Sequence, residues 1–334
     1  MPSLSDLPFS VLDLSPVLQG GTVAEALGRS ADLARHVEGW GFQRYWLAEH
    51  HNMPGIASAA TAVVIGHVAA ATKTIRVGAG GIMLANHAPL VIAEQFGTLD
   101  ALFPGRIDLG LGRAPGTDQV TMRALRQNHG SHGEDFPQEL EVLRSFLRPV
   151  LPGQKVRAVP GAGSHIPLWL LGSGGFSAQL AGQQGLPFGS AGHFSPDNVL
   201  PGLEIYRSHF RPSGTLEKPY ALVCVNVFAA ETVAEAERLA TSQYQAHLHL
   251  ARGMPMPLPP PLENREEVDL VMGTLDSNPF LRGSIIGDAT TVKEKLIEYA
   301  EVTQADEIMV HSMIFSHEAR LRSYEIVHRV RQSL

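Results

Sequence analysis

One cysteine, Cys224, stands among 334 residues, so no disulfide can close within the chain and the fold must rest on its core. Charge is sparse as well: 18% of the residues are charged, and acidic residues outnumber basic ones by 33 to 26. A net charge of −7 leaves no basic excess for a phosphate backbone and argues against a nucleic-acid partner. Long apolar runs are missing. The most apolar stretch, Ile56–Thr72, is broken by Ser58, Thr61, Gly66 and His67 and is too mixed and slightly short for a membrane span. The opening MPSLSDLPFSVLDLSPV has neither the basic patch nor the apolar centre of a secretion signal. These absences lead to the expectation of a soluble, cytoplasmic protein with no membrane partner.

What is present points to a large core. Hydrophobic residues make up 44% of the chain, which excludes disorder as the dominant state. A chain of this length buries about 75% of the surface it exposes when unfolded. Short apolar, β-branched runs alternate with longer helical patterns. The strand candidates are Pro8–Leu14, Arg44–Ala48, Ile75–Ile82, Arg106–Leu111, Ile166–Leu171, Leu186–Ser190, Tyr220–Phe228 and Glu307–Val310. Between them lie helical patterns such as Thr22–Gly39, Ala57–Thr72, a stretch opening at Pro89, Ala178–Gln184, Thr291–Thr303 and Glu318–Gln332. Alternation of this kind predicts a parallel sheet covered by helices, and eight units predict closure into a (β/α)8 TIM barrel spanning 1–334 as one domain. Two segments break the repeat. Residues 127–148 read as an insertion, a polar loop followed by a helix. Residues 251–282 read as a mobile lid, because Pro255, Pro257 and Pro259–Pro261 exclude a regular helix there.

In a parallel barrel, chemistry sits at the C-terminal ends of the strands. Glu49-His50-His51-Asn52 follow the second strand, where imidazoles can move protons near neutral pH or simply hydrogen-bond at the rim. The spacing is not that of a zinc helix, and no metal site is expected; His247 and His249 share no helix face. Glycines crowd the third strand at Gly78, Gly80 and Gly81, which marks a bulge or the close approach of another group to the backbone. The run Gly110–Asp118 imitates a dinucleotide fingerprint, but Pro115 and Thr117-Asp118 place a turn where a helix should open. What remains is Arg113 at a strand exit, suited to a phosphate. Gly172-Ser173-Gly174-Gly175-Phe176-Ser177 then lead into a helix, which offers free N–H groups to an anion or marks an ordinary tight turn.

The segments LAEHHN (Leu47–Asn52), GGIML (Gly80–Leu84), NHAPL (Asn86–Leu90), EQFGTLD (Glu94–Asp100) and LFPGRIDLGLGRAPGTD (Leu102–Asp118) occur in this order. GSGGFSAQLAGQQGLPF (Gly172–Phe188) and AGHF (Ala191–Phe194) follow. With these pieces the chain resembles the bacterial luciferase-like, flavin-dependent monooxygenases, over essentially Pro8 to Gln332. The resemblance implies a (β/α)8 barrel that binds FMN at the strand ends. It implies that His50 is the catalytic histidine beside the reactive edge of the flavin. It implies that Ala79, Gly80 and Gly81 lie against the isoalloxazine, with a cis peptide between the two glycines. Arg113, Ser173 and the N–H groups of Gly174, Gly175, Phe176 and Ser177 match the family's phosphate grip, and Arg252–Glu267 matches its mobile loop.

A separate flavin reductase would supply reduced FMN, and a C4a-hydroperoxide would oxygenate a small organic substrate. Bacterial luciferases carry a reactive cysteine where this chain has Gly112, which argues against light emission. The resemblance also implies a homodimer through the helices after the second and third strands, near Ala57–Thr72 and Glu94. The alternatives are an F420-dependent dehydrogenase on the same barrel, a flavin-binding protein without catalysis, and a flavin-free hydrolase or isomerase.

Overall fold

The computed structural model describes residues 7–114, 118–125, 135–278 and 281–333. Pro115–Thr117 of the glycine-arginine motif, residue 126, residues 127–134 of the expected insertion, and residues 279–280 of the expected lid lie outside the described residues.

The chain runs β1 (Phe9–Asp13), α1 (Val23–Gly39), β2 (Arg44–Leu47), α2 (Thr61–Ala71), β3 (Arg76–Met83) and α3 (Pro89–Leu102). It continues with β4 (Ile107–Gly112), α4 (Gln119–Leu125), α5 (Phe136–Leu147), β5 (Leu168–Gly172), α6 (Gly175–Gln184), β6 (Phe188–Ser190) and α7 (Val199–His209). It ends with β7 (Ala221–Ala229), α8 (Val233–Ala251), α9 (Arg265–Met272), β8 (Ile285–Gly287), α10 (Ala289–Thr303), β9 (Glu307–His311) and α11 (His317–Gln332). Among the described residues, β1 to β7 pair in sequence, β7 pairs with β9, and β9 returns to β1, all in parallel. The result is a closed eight-stranded barrel wrapped by helices, as the strand count predicts. The short β8 is additional. It pairs with Val227–Ala229, where β7 runs past the end of β9.

Local signals explain the helix starts. Thr22 caps α1 by accepting from the Glu25 N–H at 3.2 Å, while the Glu25 carboxylate accepts from the Thr22 N–H at 2.7 Å, a reciprocal capping box. Pro89 occupies the first turn of α3, where its missing N–H costs nothing. The stretch read as irregular through Glu267 becomes helical at Arg265, because Asn264 accepts from the Glu266 N–H at 2.9 Å and no proline falls between Pro261 and the end of the helix at Met272.

The lumen of the barrel holds Leu12, Trp46, Trp169, Leu222, Cys224 and Met309. The Trp46 and Trp169 rings meet edge to face, 5.1 Å apart. Bulk on those strands requires its absence on the neighbours. A Cβ on Gly80 would lie 2.7 Å from Leu12 Cδ1, and one on Gly110 would lie 2.2 Å from the Ala79 carbonyl oxygen. The close approach that the glycines signal is therefore made first of all by the barrel's own packing. At the N-terminal end of the lumen, Arg44 bridges Asp108 at 2.8 Å and Glu307 at 3.1 Å, and Arg76 holds Asp108 from the side at 2.7 Å. These buried ions close the floor, far from the strand ends where chemistry is expected.

Candidate active site

A cleft of about 380 Å³ opens at the C-terminal ends of the strands, within the usual size of small-molecule sites. His50, Gly80, Gly81, Arg113 and the whole run Ser173–Ser177 line it, together with His193 and Phe194. Residues far apart in sequence thus meet around one space. Ala79 does not reach it: it is fully buried, paired in β3 with Leu47 and Leu109, and packs in the outer core beneath the helices.

One end of the cleft is built for an anion. Gly174, in an extended conformation, caps α6 without any side-chain hydrogen bond, so the helix opens at Gly175 rather than at Ala178. The first-turn N–H groups of α6 have no intrahelical acceptor and carry the positive end of the helix dipole. Arg113 follows β4 and lies over the Phe176 ring, 4.5 Å from its centroid. No described carboxylate lines the cleft. A phosphate would therefore meet a guanidinium and a helix N-terminus with no opposing charge. At the centre, β3 bulges between Ala79 and Ile82, and the Gly80–Gly81 peptide is cis, the bond that the resemblance implies. That stretch presents backbone without side chains, a shelf against which a flat ring fits. Phe176 and Phe194, each 42% exposed, stand at the rim.

The Glu49-His50-His51 run divides. His50 faces the cleft, whereas the Glu49 carboxylate turns into the protein and is 1% exposed. It accepts from His51 Nε2 at 2.8 Å, His87 Nε2 at 2.9 Å, the Asn86 side-chain amide at 3.2 Å and the Met83 N–H at 3.0 Å. Burial alone would raise the Glu49 pKa; the His87, His51 and Met83 donors overcome it and hold the carboxylate below its usual range. The ligand atoms of Glu49, His51 and His87 lie within 4.8 Å of one another, close enough to suggest a metal. The contacts are hydrogen-bond lengths, however, and both carboxylate oxygens already accept N–H groups. The cluster ties the β2 exit to the β3 exit, and so fixes the loop from which His50 projects.

A second space of about 250 Å³ adjoins the first and shares His50, His193 and Phe194 with it. Its remaining walls come from Leu14, the Met53–Ile56 turn, α8, Met313 and the irregular segment after α8. That segment is tied to the barrel: Leu258 donates to the Val17 carbonyl and accepts from the Gln19 N–H, both at 2.8 Å. Three histidines that sequence reasoning missed or set aside stand here: His193, His247 and His311. Burial pushes His247 and His311 down to about 4 and His193 well below its ordinary value, so all three are neutral at pH 7. His193 follows β6 and His311 ends β9. Attention to every histidine at a strand exit would have found both.

The chain is similar to known proteins in sequence and in fold. Residues 7–305 match the family model described as luciferase-like monooxygenase. A Bacillus subtilis protein called YvbT is 57% identical over 323 residues, 96% of each chain. An Escherichia coli K12 protein named luciferase-like monooxygenase is 51% identical over 328 residues, 98% of each chain. The crystal structure of apo-MsnO8 superposes with a TM-score of 0.87 at 34% identity, covering 98% of each chain. At 16–17% identity, where only the fold is shared, stand an FMN-bound constituent of 3,6-diketocamphane monooxygenase (TM-score 0.73) and an F420-dependent secondary alcohol dehydrogenase (TM-score 0.67). With residues 7–305 matched by the family model and relatives of 51–57% identity covered over nearly their whole length, the chain belongs to the luciferase-like monooxygenase family.

Proposed function

We propose that the protein is the oxygenating component of a two-component monooxygenase, taking reduced FMN from a separate flavin reductase and transferring one atom of O2 to a small organic substrate. The observation that carries this reading is the meeting, in one cleft, of Arg113, the open N-terminus of α6, the Gly80–Gly81 shelf and His50. Bound reduced FMN would supply two electrons and activate O2, the second oxygen atom leaving as water. Arg113, the Ser173 and Ser177 hydroxyls and the N–H groups of Gly174, Gly175, Phe176 and Ser177 hold the phosphate. Gly80 and Gly81 let the tricycle lie flat against β3. His50, at the junction of the two spaces, holds or moves a proton between cofactor and substrate. Phe176, Phe194 and the segment over the second space exclude water. A homodimer would cover the exposed Val63 on α2 and Leu102 on α3, which are 73% and 65% exposed. The dependence on a reductase and the single buried Cys224 suit the cytoplasm.

Hydride transfer with F420 is the competing chemistry on the same barrel. Mixing the protein with reduced FMN under O2, and separately with F420 under argon, separates the two. The proposal expects tight binding of reduced FMN and slower hydrogen peroxide release than from free reduced FMN. His50→Ala should keep the FMN affinity within a few-fold and release peroxide faster. F420 turnover with no response to reduced FMN would overturn the proposal.

A further inference from the structure

The second space has a chemical character of its own. Among the described residues, its wall contains no Lys, Arg, Asp or Glu. Leu14, Met53, Ile56, Leu250, Met256 and Met313 line it, and thioether side chains adapt to ligands of irregular shape. Its polar groups are imidazoles. His311 Nδ1 lies 3.2 Å from the Leu12 carbonyl, which assigns the proton to Nδ1 and leaves Nε2 as an acceptor. The His193 and His311 rings sit 5.3 Å apart, and His193 faces both spaces. Behind them the polar groups satisfy one another: Gln243 donates to Asn226 Oδ1 at 3.1 Å and accepts from the Met313 N–H at 3.0 Å, while Asn226 donates to the His193 carbonyl at 2.6 Å. The contrast with the first cleft is sharp. There a guanidinium and a helix N-terminus face the space; here the described wall offers neither.

We propose that the second space selects its ligand by charge, admitting small, uncharged, largely apolar molecules with a single polar group and rejecting carboxylates and phosphates. An ionised carboxylate entering this wall would lose its hydration and gain no cation, a cost that an apolar molecule of the same shape does not meet. Burial keeps the His247 and His311 imidazoles neutral at pH 7, so neither supplies a cation to this wall. The size is equally restrictive, since about 250 Å³ falls below the roughly 300–1,000 Å³ of sites for drug-sized ligands. As the substrate class of the enzyme this inference rests on the monooxygenase reading; as a binding property of the chain it does not.

The test uses thioanisole and a pair of one shape, 4-(methylthio)benzamide and 4-(methylthio)benzoate, titrated into the full-length protein with and without FMN by calorimetry and ligand-observed NMR. Thioanisole and the amide should bind, and the carboxylate at least tenfold more weakly than the amide. Met256→Lys, which places a cation in the wall, should narrow or reverse that ratio by at least tenfold. Ala246→Phe, which fills the space from α8, should abolish thioanisole binding. Flavin fluorescence reads FMN binding independently in every sample. Thioanisole binding without FMN binding would uphold the chamber and overturn the flavin reading. FMN binding with the carboxylate bound as tightly as the amide or more so, or with no probe bound, would overturn the chamber and leave the flavin reading standing.

Discussion

Moving the protein from pH 7 to pH 5 should cost the folded state about 4 kcal/mol through His247 and His311 alone, two imidazoles each worth about 2 kcal/mol. Burial holds both near 4 in the folded chain, against an ordinary value of 6.5. At pH 7 neither the folded nor the unfolded form carries much charge on these rings. At pH 5 the unfolded imidazoles are almost fully protonated and the folded ones are not, so unfolding takes up close to one proton per ring. Because the folded pKa is depressed, the unfolded state binds more protons, and stability falls as pH drops below 6.5 and levels off near 4. His193, shifted in the same direction chiefly by burial, adds to the effect. The buried carboxylates Asp13 and Glu49 are held below their usual values, so their contribution is lost mainly below this window. Total stabilities of about 5–15 kcal/mol make such a loss large. Urea unfolding at constant ionic strength at pH 7, 6 and 5 measures it. His311→Gln, which cannot titrate, should shrink the pH 7-to-5 difference by about 2 kcal/mol, its share of the linkage. An unchanged difference would show that His311 is already solvated, and the reasoning from burial would fail.

Thr22→Ala removes the capping box of α1 and should lower stability by about 1 kcal/mol, read as a shift of the urea midpoint with an unchanged slope. Glu49→Ala leaves the His51, His87, Asn86 and Met83 donors without their acceptor and should cost at least ~3 kcal/mol; Glu49→Gln, which keeps an acceptor oxygen, should recover part of it. An effect under ~1 kcal/mol for the alanine variant would mean that water replaces the carboxylate without penalty.

The barrel was legible because its strands are buried on both faces and so read as nearly continuous apolar runs: FSVLD in β1 and ALVCVNVFA in β7 are buried throughout. Even the three-residue β6 shows, framed by Leu186 and Ser190. The three residues of β8 carry too little pattern, and their pairing depends on β7 overrunning its neighbour, which no local signal announces. The strand exits gave Arg113, Ser173–Ser177, the glycine pair and His50, since position along the strand is itself a functional signal. Orientation was harder to read. Glu49, His50 and His51 are adjacent in sequence, yet only His50 faces the cleft, because Glu49 finds its partners on a loop 34 to 38 residues away. Ala79 follows the strand alternation outward while its glycine neighbours face in. His193, within the AGHF segment, and His311 come from exits 118 residues apart, and only closure of the barrel brings their rings together.

The central claim, a flavin held by its phosphate between Arg113 and the start of α6, is tested most directly by the affinity of the protein for FMN against riboflavin, which differ only in that phosphate. Charge-assisted hydrogen bonds of about 1.5–3 kcal/mol correspond to roughly 10- to 150-fold tighter binding of FMN. Arg113→Ala should erase at least tenfold of that preference while leaving riboflavin binding unchanged. Equal affinities for FMN and riboflavin, in a protein that binds both, would contradict the account.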